Sequence, residues 1–270
     1  MKRPFITLTS DFGVQSQGVG IMEAVAREIA PEAHVIHLMH GLPDFGVMPA
    51  ARTLETLFSV PVGFHVCVVD PGVGTTRRGL IIRVKRGDFL IGPDNGVLLP
   101  AARMLGGAVA AYSIENQKYM RLPVSPVFHG RDVFAPAAAH LAMGVAPEEF
   151  GPAVALAKLV AAPYEEAVCA DGKIKAQVIQ INKYGSLHLN ITNAAWENFG
   201  AALGAKLELE VNNQKITLTH VTTFGEVPPG TPLVLKDDYA RVEVAINLGN
   251  FSKTFSVKIG DRCEIKNTQR

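Results

Sequence analysis

The sequence predicts an α/β protein in two parts, an N-terminal α/β sheet domain flanked by helices and a smaller C-terminal all-β barrel domain. Through the first half, short apolar runs alternate with stretches whose apolar residues recur at helical spacing, the signature of βαβ units. Between Gly151 and Asp171 this pattern weakens into an Ala/Pro-rich segment, and beyond it two-residue alternation takes over, broken by Gly, Asn, Asp and Pro turns. At 270 residues the chain is long enough for one large and one small domain. The expected boundaries are a catalytic domain at 1–155, a linker at 156–172 and the barrel at 173–270.

The elements follow in order. FITLTS reads as a first strand, GVGIMEAVAREIAP as a helix stopped by Pro31, and AHVIHLMH as a second strand. MPAARTLETLFSV has helical spacing, and GFHVCVVD is a buried strand running into the loop PGVGTTRRG. LIIRVKRGDFLIGPDNG gives two strands joined at Arg86-Gly87-Asp88. GVLLPAARMLG and RDVFAPAAAHLAMG are helical, with Pro136 near enough to the helix start to be tolerated. KIKAQVIQIN, LHLNIT, AKLELEVNN, QKITLTH, TPLVLKD, RVEVAINLG and FSVKIGDRCEIK are the strands of the barrel.

Composition narrows the partners. Lys and Arg number 26 against 25 Asp and Glu, interspersed without a basic block, which argues against nucleic acid. No apolar run reaches membrane-spanning length, and the start MKRPFITLTSDFG is unlike a secretory signal, so the expected location is the cytoplasm. Cys67, Cys169 and Cys263 are far apart and read as buried reduced thiols.

Four polar clusters stand at strand ends: TSDFG with Asp11, VVDPGVGTTRR from Asp70 to Arg78, GPDNG with Asp94 and Asn95, and FHGRD with His129, Arg131 and Asp132. In α/β sheets ligands bind outside the carboxyl ends of the strands, so these clusters form one candidate site. Asp70 leaves an apolar strand into Pro-Gly, and Gly72 and Gly74 are expected to let backbone approach a ligand. His129 can relay protons near neutral pH, with the adjacent Arg131 and Asp132 adjusting its charge. His34, His37 and His40 have the spacing HxxHxxH, but period three does not bring strand side chains together, so no metal site is expected. Gly18 and Gly20 lack the third glycine of a dinucleotide fingerprint. Trp196, in NAAWENFG, reads as a packing or interface anchor.

In order and spacing, TSDFG, VVDPGVGTTRR, IGPDNG and FHGRDVFAPAAAHLA resemble the S-adenosyl-L-methionine (SAM) hydroxide adenosyltransferases, relatives of the fluorinases and chlorinases. The likeness is looser in the second half, where INKYGSLHLNIT looks like the family's D-x-F-G-N-L-x-T-N-I. The resemblance implies a homotrimer with active sites between subunits, reaction of SAM with water to give adenosine and L-methionine, and no metal or cofactor beyond the substrate itself. By motif position, Asp70, Arg77 and His129 take the family's water-handling set, and Asp11 the carboxylate on the ribose hydroxyls. Fluorinase-like enzymes have an aromatic residue at Asp70, a serine at Gly130 and an inserted loop, all missing here, and a carboxylate at the attacking position repels halide.

At the methionine end the chain departs from the family pattern. Asn182 replaces an Asp, Ser186 an Asn and Leu189 a Thr, while Lys236-Asp237-Asp238-Tyr239 stands in place of a serine-containing segment. Asp238 is expected to supply the carboxylate lost at Asn182. Asn190 is a candidate for adenine hydrogen bonding, and Phe224 for stacking on the ring or packing the barrel. The alternatives to SAM hydrolysis are cleavage of a related adenosyl compound, a non-catalytic SAM- or adenosine-binding protein, and a structural trimer.

Overall fold

A computed structural model describes residues 3–267 of the chain. It divides into two compact units between Pro163 and Tyr164, within the 156–172 segment.

In the first unit, β1 (Phe5–Ser10), β2 (His34–Met39), β3 (Phe64–Val68), β4 (Gly79–Val84), β5 (Phe89–Pro93) and β6 (Ala108–Ser113) form one sheet in the order β2-β1-β3-β5-β4-β6. The pairs β1–β2, β1–β3 and β3–β5 are parallel, while β4 runs antiparallel to both β5 and β6. Central β1 is buried on both faces, its polar Thr7, Thr9 and Ser10 included, whereas edge strand β2 buries one residue of six. Helices α1 (Gln17–Ile29) and α4 (Ala135–Ala142) pack on each other against the face that carries Ile6, Leu8, Val66 and Val68. Alanines at 135, 137, 138 and 139, all fully buried, let α4 approach the strands closely. Two further helices, α2 (Val47–Glu55) and α3 (Leu99–Met104), pack together. Ser16 caps α1 by accepting the Gly18 amide.

β6 had no counterpart in the sequence reading. Its AVAAYS run is half alanine, with Val109 its one β-branched residue, and pairing with β4 overrides that weak local preference.

The second unit is a closed barrel with an added strand. Its strands are β7 (Val168–Ala170), β8 (Lys173–Ile181), β9 (Leu187–Thr192), β10 (Lys206–Val211), β11 (Gln214–His220), β12 (Pro232–Lys236), β13 (Arg241–Ile246) and β14 (Arg262–Asn267). Seven of them follow the order β14-β10-β11-β12-β13-β9-β8 and close through β14–β8, with β7 outside. Alternate residues such as Leu187, Leu189, Leu207, Leu209, Val242 and Val244 fill the interior. FSVKIGDRCEIK is strand only from Arg262, in β14: its Phe255 ends the short helix α6 (Phe251–Phe255), capped by Asn250, and Ser256 takes a left-handed conformation before a turn. NAAWENFG is helix α5 (Asn193–Phe199), and its Trp196 is 2% exposed, packs on Phe199 and donates Nε1–H to His220 Nε2 at 3.1 Å, a core anchor. Cys67 and Cys263 are buried and their thiols are pushed up to about 12 by that burial, but Cys169 is exposed on β7, contrary to expectation.

No helix among the described residues is long and apolar enough to cross a membrane. Replacing Gly74 tests how tightly the loop after β3 is seated. Its φ is +77°, and an added Cβ would lie 2.4 Å from the Pro126 carbonyl oxygen. Gly74→Ala is expected to lower unfolding free energy by about 2–4 kcal/mol, read by urea denaturation.

Candidate active site

Strand order reverses at β1, which has β2 on one side and β3 on the other, so the crevice beyond the carboxyl ends of β1 and β3 is the topological switch point. Asp11 follows β1 directly, and Asp70 lies two residues beyond β3. A cavity of about 260 Å³ opens there, with Asp11, Asp44, Asp70 and His129 as its titratable lining and Phe12, Phe45 and Phe128 as its aromatic walls.

Arg77 joins the loop after β3 to the segment before α4. Its Nε donates to Asp70 Oδ1 at 3.1 Å, its Nη2 to Asp70 Oδ2, and Nη2 also to His129 Nδ1 at 3.0 Å. The guanidinium carbon lies 5.3 Å from the centre of the buried Phe134 ring, which also meets His129 edge-on at 6.4 Å. His129 is presented by a five-residue π-helical turn, Gly130–Phe134, that leads into α4. Gly130 is required there, because a Cβ would meet Met22 Sδ at 2.8 Å and Val68 Cγ1 at 3.0 Å.

Burial sets the protonation of this group. It raises Asp70 above the ordinary aspartate value despite Arg77, and it lowers His129, with the Arg77 charge adding to the effect. At neutral pH His129 is therefore uncharged. Since its Nδ1 accepts from Arg77, its proton resides on Nε2.

The other first-half clusters mostly brace the loops. Asp94 accepts from Arg78 Nε at 2.9 Å and from Val160 N at 2.9 Å, and Asn95 Nδ2 holds the Val69 carbonyl at 2.9 Å, one residue before Asp70. Asp132 pairs with Arg131 at 2.6 Å and accepts from Ser125 N at 2.8 Å, so its main partners are these rather than His129. Gly74 serves a close approach to Pro126, not to a ligand, and Gly72 has only ordinary contacts. Asp11 Oδ2 accepts from Phe45 N at 2.9 Å, which ties the ends of the β1 and β2 loops together.

The second-half candidates lie in the barrel unit. Asn182, in the β8–β9 turn, accepts the Tyr184 and Ser186 amides at 3.0 and 3.1 Å, and its Nδ2 is 3.5 Å from Glu243 Oε1. The carboxylate beside Asn182 is thus that of Glu243, which is 7% exposed, whereas Asp238 is exposed in the β12–β13 turn. Glu243 is a carboxylate that the sequence analysis did not weigh, and its signal was an acidic residue inside the apolar strand RVEVAI. Ser186 is buried. Asn190 accepts from Gln177 N and donates to the Glu165 carbonyl, both at 2.7 Å, which engages both ends of its amide in bracing the barrel. Phe224 is 40% exposed in a one-turn helix capped by Thr223 and Glu226, outside the barrel core.

Asp44 and Phe45 escaped the sequence reading. Their signal was that Asp44-Phe45-Gly46 repeats the Asp11-Phe12-Gly13 of the preceding βα unit. Phe45 has φ +56°, unusual for an aromatic residue, and is 71% exposed. His37 and His40 also depart from expectation, since His37 Nδ1 and His40 Nε2 are 2.9 Å apart. A bulge at the end of β2 is the cause. Leu8 pairs with His37 and Thr9 with Met39, so one extra residue restores the two rings to the same side. No group of three or more His, Cys, Asp or Glu among the described residues is placed to hold a metal ion.

Comparison with known proteins agrees with this architecture. Residues 6–151 match the family model of the SAM hydroxide adenosyltransferase N-terminal domain, and residues 176–264 that of the C-terminal domain. An (R)-S-adenosyl-L-methionine hydrolase of Salinispora arenicola is 36% identical over 263 residues, covering 97% of each chain. The crystal structure of an uncharacterized conserved protein from Thermotoga maritima superposes with a TM-score of 0.90 at 31% identity, over 97% of this chain and 99% of that one. At greater distance, a fluorinase of Nocardia brasiliensis is 23% identical over 98% of this chain and 97% of its own. With both of its units matched, the chain belongs to the SAM hydroxide adenosyltransferase family.

Proposed function

We propose that the protein hydrolyses SAM to adenosine and L-methionine, with Asp70, Arg77 and His129 handling the water. The observation that carries this reading is the single guanidinium that holds both Asp70 and His129 at a cavity on the switch point. The water oxygen attacks ribose C5′, the C5′–S bond breaks with its electron pair going to sulfur, and the neutral thioether of methionine leaves. The sulfonium is already an able leaving group, so the protein's task is mainly to place the water in line. Asp70, bound by Arg77 through both oxygens, retains acceptor capacity for a water proton. His129, protonated on Nε2, donates to a lone pair of the water and so orients it, leaving the base role to Asp70. Asp11 grips the ribose hydroxyls.

Charge favours this substrate. Asp11, Asp44 and Asp70 line the cavity, and Arg77 balances one of them, so the site attracts a sulfonium and repels a halide. At about 260 Å³ the cavity is just below the usual range for ligand pockets, roughly 300–1,000 Å³, and encloses the reacting part of SAM rather than all of it. The exposed apolar side chains Phe45 and Val127, 71% and 76% accessible at its rim, support a homotrimer in which a neighbouring subunit covers the remainder. On this reading the active site lies between subunits, SAM is substrate rather than cofactor, and the enzyme acts in the cytoplasm.

Turnover in ¹⁸O-labelled water tests the reaction: label is expected in the 5′ oxygen of adenosine and not in methionine. Adenosine binding without products would overturn the hydrolase reading. Asp70→Asn is expected to lower kcat by about 10²–10⁴-fold, measured by release of adenosine.

The pH profile has a definite sign. Only ionised Asp70 accepts the water proton, so kcat/KM is expected to fall as pH drops through an apparent pKa above the ordinary aspartate value of 3.8. No further change is expected above neutral pH, because burial and the Arg77 charge hold His129 below the ordinary imidazole value and so uncharged there. Arg77→Lys keeps a charge but loses the fork that bridges Asp70 and His129, and about a tenfold or greater loss of kcat is expected.

A further inference from the structure

Glu23, His37, His40 and Ser10 form a chain of hydrogen bonds that the proposed chemistry does not use. His37 Nε2 lies 2.8 Å from Glu23 Oε2, His37 Nδ1 lies 2.9 Å from His40 Nε2, and His40 Nδ1 lies 2.7 Å from Ser10 Oγ. The chain runs from the partly exposed Glu23 and His37 side chains to His40, 5% exposed, and Ser10, fully buried at the end of β1. At its inner end it reaches the two amides that follow Asp11. Phe12 N donates to Ser10 Oγ at 3.3 Å, and Gly13 N donates to the His40 carbonyl at 2.7 Å.

For two neutral rings, donor accounting gives the chain one direction. The Glu23 carboxylate only accepts, and it also takes Arg27 Nε–H at 2.6 Å, so His37 must carry its proton on Nε2. In that arrangement His37 Nδ1 accepts, and His40 donates from Nε2. His40 then accepts at Nδ1, where the Ser10 hydroxyl donates, leaving a Ser10 lone pair to receive Phe12 N–H. Burial pushes His40 down to about 4, and the hydrogen bonds from His37 and Arg27 hold Glu23 below the usual carboxylate range. His40 is therefore neutral, and Glu23 ionised, at neutral pH.

We propose that His40 is a positioning residue for substrate binding: through Ser10 and through its own carbonyl it fixes the Phe12 and Gly13 amides, and so the direction in which Asp11 meets the ribose hydroxyls. The proposal rests on the SAM reading for the role of Asp11. It explains why the β2 bulge is useful, since without it His37 and His40 would face opposite sides of the strand.

His40→Leu and Ser10→Ala are the test variants, with His40→Asn as the conservative one, because Asn sets an acceptor oxygen where Nδ1 stands. The expected result is a rise of about five- to tenfold in KM for SAM and in Kd for adenosine, with kcat within about twofold of the parent and near-full recovery in His40→Asn. The losses are expected to vanish on an Asp11→Ala background. A loss confined to kcat, or a KM effect that persists without Asp11, would overturn the proposal. Long-range ¹H–¹⁵N correlation spectra of the parent chain decide the direction without any substrate. Nε2–H tautomers at both rings support the relay, and Nδ1–H at His40 overturns it. A parent chain that binds no adenosine would overturn the SAM reading instead, and the tautomers would still decide the relay.

Discussion

The arrangement depends on Arg77. One guanidinium, nearly buried over the Phe134 ring, draws together a carboxylate from the loop after β3 and an imidazole from the turn before α4. An aspartate and a histidine left alone in that crevice would pair with each other, and the proton would be shared between them. Arg77 prevents this. It bonds both groups, adds its charge to the burial that keeps the histidine neutral, and moderates the rise that burial imposes on Asp70. What remains is a pair with complementary roles, one acceptor and one donor.

That geometry is held by backbone more than by further side-chain pairs. Gly74 lets the β3 loop lie against the Pro126 carbonyl, and Gly130 lets the π-helical turn settle on Met22 and Val68. Asn95 fixes the carbonyl of Val69, so the residue before Asp70 has no freedom to swing. A site that works by orienting water needs such restraint, since misplacement of about 1 Å is costly. The two glycines thus hold the geometry of the site through backbone packing, and Gly130 also lines the cavity.

Much of this was legible in the sequence because it is carried by strand ends. Asp11 and Asp70 stand where a parallel strand breaks into a glycine-containing loop, and parallel strands deliver such breaks to one edge, whereas His129 is not at a strand end but before the π-helical turn Gly130–Phe134, which packs against β3. What escaped was non-periodic. The β2 bulge inverts the face of every later residue, so HxxHxxH read as strand spacing gave the wrong neighbours. β6 is written in alanines and formed by its partner β4. The carboxylate beside Asn182, Glu243, was overlooked because it lies in another strand, although a lone glutamate in an apolar strand is a sign of a buried, partnered acid.

The same reasoning bears on why this family member uses water. In an enzyme that binds a halide, the ion must lose its hydration and be compensated by donors around it. In the proposed site the attacking position is flanked by Asp70, with Asp11 and Asp44 lining the same cavity, and the Arg77 guanidinium is already engaged by a carboxylate. An anion entering that space would be desolvated against like charge. A water molecule is not penalised in this way, and it can both donate to Asp70 and accept from His129. The electrostatic pattern that draws the sulfonium inward is therefore also the one that leaves water as the available nucleophile.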